Sequence, residues 1–191
     1  MPHFEKSGLL KQAREWVTVI VVAVVIAVVV RAFFLQQFYI SGPSMEPTMF
    51  QDNRVLVDKI TYRFREPRIG DVVVFDRITM NGDEVQHDDL IKRVIGTPGD
   101  TVQISDCAVS VNGQELDEPY LEATVLATED AASRCRQPDM ELLLVPNDEF
   151  FVMGDNRAES FDSRSFGTIS REIIVGRAFA IVWPVDMLKV L

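Results

Sequence analysis

Histidine is nearly missing from this 191-residue chain, which has only His3 and His87. A Ser-His-Asp triad needs an imidazole beside its serine. His87 lies in Asn81-Gly-Asp-Glu-Val-Gln-His-Asp-Asp89, which reads as a solvated hairpin loop. No Gly-x-Ser-x-Gly elbow, His-Glu-x-x-His helix or paired-cysteine zinc pattern occurs, so nucleophile-elbow and zinc hydrolases lose their motifs. Asp155-Asn-Arg157 lacks the acidic spacing and glycine of a calcium loop. No metal and no cofactor are expected.

Positive charge is also scarce, with 19 Lys+Arg against 29 Asp+Glu. The first 35 residues hold Lys6, Lys11, Arg14 and Arg31 but only Glu5 and Glu15, which leaves the rest at −12. Such a surface repels the phosphates of nucleic acid and the headgroups of anionic lipid. Most of its carboxylates serve as an ordinary solvated exterior. Cysteine is limited to Cys107 and Cys135. In an extracytoplasmic setting such a pair is a disulfide candidate with a structural role, although their separation in space is open at this level.

One membrane-length apolar run is present. Trp16 to Val30 is fifteen residues without a charge, too long for a strand and too unbroken for an amphipathic helix. At ~1.5 Å per residue it covers about 22 Å, and continuing through Arg31 and Phe33 to Leu35 brings it to the roughly 30 Å of a hydrocarbon core. A cleavable leader would also start with basic residues before an apolar stretch, but no A-x-A-like cleavage site follows. The run is therefore read as an anchor over residues 16–35. The basic excess ahead of it puts residues 1–15 in the cytoplasm and residues 36–191 outside the cell membrane, as a single-pass protein.

Beyond residue 35 the expected fold is mainly β. Arg54–Lys59, Asp71–Phe75, Leu90–Ile95, Val109–Val111, Gln114–Leu116, Phe150–Met153 and Ala178–Trp183 are short β-rich runs between turn signals. Asn112-Gly113 marks a tight hairpin. Residues 122 to 140 or so look like an exposed loop or insertion. The only hint of helix runs from Ser170 to Val175.

Two side chains stand out chemically. Ser44 sits between two prolines in Ser41-Gly-Pro-Ser44-Met45-Glu-Pro-Thr48, just past the anchor, beside a methionine that looks exposed. Lys92 is one of three lysines after the anchor, with Lys59 and Lys189. On a strand it shares a face with Leu90 and Val94, while Arg93 points the other way. Burial would lower its pKa and leave a usable neutral fraction. The alternatives are an edge-strand lysine with its amine in water and a core methionine at 45.

Ser41-Gly-Pro-Ser44-Met45-x-Pro47-Thr48, Gly70-Asp71-Val-Val-Val-Phe75, Ile91-Lys92-Arg93-Val-Ile-Gly96-x-Pro98-Gly99-Asp100 and Gly154-Asp155-Asn156-Arg157-x-x-Ser160-x-Asp162-Ser163-Arg164 follow one another in this order. Together, and with Asn112-Gly-Gln-x-Leu-x-Glu-Pro-Tyr-Leu121, they resemble the boxes of bacterial type I signal peptidases, the membrane-anchored Ser/Lys leader peptidases. The resemblance implies an extracytoplasmic β-rich serine protease that cuts signal peptides of secretory precursors after small residues at −1 and −3. Ser44 would be the nucleophile, Lys92 the general base and Ser160 the group that aligns the lysine amine. Asp155, Asp162 and Arg164 would support them, the last two as an ion pair. The Ser44 backbone N–H would donate to the oxyanion. Met45 would contact substrate or lipid.

The chain departs from the family pattern in three places. Gly42 stands where some members carry a second serine, so a hydroxyl donor would have to come from Ser41 or elsewhere. Ala158-Glu159 replaces a common Asp-Asn pair, and Ile69 separates Arg68 from Gly70. Two other functions fit the anchor and a β domain: a Ser/Lys protease with one dedicated substrate, and a non-enzymatic partner-binding domain.

Overall fold

The computed structural model describes residues 6–33, 35–81, 84–121, 135 and 137–191. They form two units, one up to Gln36 and one from Gln37 onward. The first is dominated by helix α1, Lys6–Phe33. Its side chains are described without a break from Gln12 to Ile26 and are exposed throughout. Among the described residues no helix is long and apolar enough to cross a membrane.

The second unit is β-rich. Strands β1 (Leu35–Tyr39), β2 (Arg54–Asp58), β3 (Val72–Asn81), β4 (Glu84–Gly96), β9 (Glu149–Met153), β10 (Ile169–Ser170), β11 (Ile174–Trp183) and β12 (Lys189–Val190) make one sheet. Its order is β1-β2-β11-β3-β4-β9-β10, with β12 also on β11. A second sheet, in the order β7-β6-β5-β8, holds β5 (Thr101–Ser105), β6 (Ala108–Val111), β7 (Gln114–Glu115) and β8 (Met140–Leu144). The unit's described residues also include two single-turn α-helices, α2 (Thr61–Phe64) and α3 (Ser163–Phe166).

Sequence periodicity accounts for most of these placements. Val55 and Val57 alternate inward on β2, and Val102 and Ile104 do so on β5. Val72 to Phe75 is an unbroken buried run, as suits a strand covered on both faces. It runs between β11 and β4. Asn112 (φ 52°) and Gly113 (φ 76°) make the expected tight turn between β6 and β7.

Some expectations change. Residues 84–89 are strand, not loop: β3 and β4 stay paired out to Asn81↔Glu84, so His87 lies opposite Ile78 on an exposed ribbon. The Ser170–Val175 hint is a 3-10 turn over Arg171–Ile173, after which β11 begins. Of the proposed insertion, residues 122–134 and 136 lie outside the described residues, and Met140 already belongs to β8. Cys107 and Cys135 are bridged, with Cα atoms 5.9 Å apart.

Candidate active site

Ser44 is held by a loop pinned at both ends. Ile40 and Asn53 join through Ile40 N–H to Asn53 O at 2.9 Å, and Asp52 N–H returns to Ile40 O at 2.9 Å. Inside the loop Glu46 N–H reaches Pro43 O at 3.0 Å, and Met49 N–H reaches Met45 O at 2.9 Å. Gly42 has φ +95°, a conformation that a residue with a side chain adopts only under strain. A glycine at this position therefore suits this backbone. Met45 is 0% exposed and packs in a core cluster with Ile40, Met49 and Val55. Of the two readings of Met45, the core methionine is the one this burial fits, and a surface contact is the one it contradicts.

Lys92 comes from β4, opposite Val73 of β3. It is 3% exposed, so the edge-strand alternative fails. Its Nζ lies 2.9 Å from Ser44 Oγ and 2.8 Å from Ile91 O. Burial lowers its pKa to about 8, although the charges of Asp162 and Asp155 pull the other way. At pH 7 an amine with that pKa is neutral about one time in ten, against a few in ten thousand for an ordinary lysine.

Gly154 brings the Gly154–Arg164 segment against both residues. A Cβ at Gly154 would fall 2.3 Å from Ser44 O and 2.3 Å from Ser160 Oγ. Asn156 N–H donates to Ser44 O at 3.1 Å. Asp162 is 0% exposed and does three things. It accepts Gly154 N–H at 3.0 Å, caps α3 through Arg164 N–H at 3.3 Å, and receives Arg164 Nε and Nη2, both at 2.8 Å. Burial opposes its ionisation, but the Arg164 bonds and charge, Gly154 and Ser160 outweigh burial and lower its pKa. The expected Asp162–Arg164 pair is thus present. Ser160 is buried in the same place, with its hydroxyl close enough to Asp162 to help lower that pKa, but it makes no hydrogen bond of regular geometry among the described residues and none to the lysine amine. Ser41 is exposed on the loop ahead of Ser44.

Asp155 is held by Arg93, whose Nε and Nη2 donate to its two oxygens at 2.8 and 2.6 Å. Arg93 also donates to Gly70 O at 2.9 Å, and its guanidinium carbon lies 3.9 Å from the centre of the Tyr120 ring. Tyr120 donates its hydroxyl to Glu118 at 2.6 Å, and Glu118 pairs with buried Arg157. Arg157 closes the circuit on Gly154 O at 3.0 Å. Arg93, Glu118, Tyr120, Arg157 and the packing role of Gly154 were not assigned from sequence. The available signal was their membership of the quoted boxes, with two arginines beside one aspartate. A buried amine touching a hydroxyl, flanked by carboxylates each paired with an arginine, can pass a proton between the two.

Comparisons with known proteins agree in direction. The profile described as "Signal peptidase, peptidase S26" matches residues 13–183. A Synechocystis protein named "Probable signal peptidase I-2" is 40% identical over 173 residues, spanning 90% of this chain and 73% of its own. The "Signal peptidase I" of Leptolyngbya laminosa is 38% identical over 91% of this chain and 81% of its own, and the "Signal peptidase I S" of Bacillus subtilis is 35% identical over 94% of each. A crystal structure of a signal peptidase I from Enterococcus faecalis is 29% identical and covers 59% of this chain and 97% of its own. Its TM-score of 0.44 is too low for the superposition to carry weight.

Proposed function

The chain belongs to the signal peptidase, peptidase S26, family of serine peptidases, and on that premise we propose that it is a membrane-bound endopeptidase that removes signal peptides with a Ser44–Lys92 dyad. The observation that carries this reading is the 2.9 Å contact between Lys92 Nζ and Ser44 Oγ, made by a lysine that is 3% exposed. Neutral Lys92 takes the Ser44 proton as the oxygen adds to the substrate carbonyl. The resulting ammonium then protonates the leaving amine, and a water molecule activated by the same lysine releases the acyl group. The Ser44 N–H serves the oxyanion, a contribution of about 3–4 kcal/mol per donor in other hydrolases. Ser160 turns to the lysine amine during the cycle. Asp155, Asp162 and Arg164 hold the frame. Cleavage follows small residues at −1 and −3.

The anchor is α1. Its side chains from Trp16 to Ile26 include valines and isoleucines 51–60% exposed, and aqueous solvent disfavours an apolar surface of that extent. With a cytoplasmic N-terminus, the β-rich unit lies on the outer side, where secretory precursors present their cleavage sites. Tethering enzyme and precursor to one surface raises their effective concentration.

The test is cleavage of an Ala-x-Ala precursor by the full chain in liposomes. Ser44→Ala and Lys92→Ala each abolish it while the circular dichroism of the fold persists, and Ser41→Ala is far milder. Cleavage retained in both dyad variants rejects the reading. A rate that does not rise with pH through about 8 rejects Lys92 as the base. Release of the chain from membranes by alkaline carbonate rejects the anchor.

A further inference from the structure

We infer that Tyr120 is a positioning residue, whose ring clamps the Arg93 guanidinium onto Asp155 beside the Ser44–Lys92 pair. This rests on the dyad reading above and extends it to a residue outside the reacting atoms. Three observations support it. First, the Arg93–Tyr120 contact, at 3.9 Å, is the shortest cation–ring distance among the described residues. Second, Tyr120 is itself tied down: its hydroxyl bonds Glu118 at 2.6 Å, and Glu118 is anchored on Arg157 just past Asp155. One two-residue arm therefore touches the arginine beside the lysine and the arginine that follows the aspartate. Third, the guanidinium spends all three nitrogens on its partners, Nε and Nη2 on Asp155 and Nη1 on Gly70 O, so its plane is fixed and the ring covers one face.

The consequence reaches Lys92 through charge. The charged groups acting on its amine are Asp162 ahead of α3 and Asp155 after β9, each ion-paired with an arginine, Arg164 on α3 and Arg93 on β4, and the Ser44 hydroxyl accepts from it. Asp155 favours the ammonium form, and its ion pair with Arg93 limits that pull while the guanidinium stays seated. A loosened Arg93 leaves more of the Asp155 charge acting on the amine. Lys92 then holds its proton to a higher pH, and the acid limb of kcat/KM moves up.

Placing phenylalanine, and then pentafluorophenylalanine, at position 120 of the full chain separates ring electrostatics from shape. Tyr120→Phe keeps the aromatic face and leaves the limb in place. Fluorination removes the negative face with little change of volume. The limb should rise by about half a unit, giving roughly a threefold loss at pH 7 that vanishes near pH 10. Tyr120→Leu moves it the same way. A fluorinated enzyme with an unmoved limb, or one impaired equally at every pH, overturns the inference and leaves the dyad standing. A parent enzyme with no acid limb removes the dyad reading and this inference with it.

Discussion

Two buried aspartate–arginine pairs flank Lys92, and they are assembled by opposite routes. Asp162 and Arg164 are two residues apart, and the carboxylate also caps α3 and accepts Gly154 N–H, so one short turn builds the pair. Arg93 and Asp155 come from β4 and from the loop after β9, which meet only when the large sheet is closed. Each carboxylate by itself would favour a charged lysine, and each is matched by a guanidinium. Desolvation therefore dominates, and the amine is lowered to about 8. The local pair can form with its loop. The distant pair reports whether the sheet, the glycine-led segment and the Glu118–Tyr120 arm are all in place.

Breaking the distant pair should do the most damage. In Arg93→Ala the Asp155 side chain, 0% exposed, loses both of its guanidinium bonds. Stranding one partner of a buried pair costs about 3–5 kcal/mol. For a chain of this size that is a fall in Tm of roughly 6–20 °C, read by thermal unfolding in detergent. A fall under about 2 °C would show that the pair is not a closure contact.

Breaking the local pair should do less. Arg164→Ala leaves Asp162 with the N–H groups of Gly154 and of residue 164, so about 2 kcal/mol is expected. A larger effect than that of Arg93→Ala would invert the contrast. The pH dependence has a definite sign. Because the folded pKa of Asp162 is depressed, its contribution is present above the ordinary carboxylate value of 3.8 and is lost as pH falls through the folded value. The stability gap between the parent and Arg164→Ala should therefore narrow as pH is lowered towards 3.

The same contrast explains what could be read in advance. The Asp162–Arg164 pair was expected through the resemblance of the Ser160-x-Asp162-Ser163-Arg164 box, and alternation with Leu90 and Val94 left Lys92 either buried or at a wet edge until the serine motif was set beside it. Arg93 lies on the opposite face by the same alternation, and nothing local says that this face is also covered, by Asp155 and Tyr120. Tertiary closure decides it. Met45 was misread for a related reason: adjacency to a serine says nothing of a loop that turns its neighbour inward. The outer half of the β3–β4 ribbon was misread as a loop because its described side chains are largely exposed on both faces, and a ribbon exposed in that way has no hydrophobic alternation to reveal it.

The smallest effect sharpens the comparison by replacing what lies between the pairs. If both carboxylates are neutralised, burying an ammonium at position 92 destabilises the fold, and Lys92→Met should stabilise it. The gain is reduced by the loss of the bonds to Ser44 and Ile91 O, which leaves about 1–2 kcal/mol at pH 6. The folded pKa of Lys92 is lowered to about 8 from 10.5. Below pH 8 both folded and unfolded chains carry the proton, and the full penalty is felt. Between about 8 and 10.5 only the unfolded chain holds it, so the parent gains stability with pH while the methionine variant does not. The Tm difference should shrink from pH 6 to pH 10. A constant difference would mean that one pair fails to cancel its aspartate, and that the amine is held charged by the very groups that flank it.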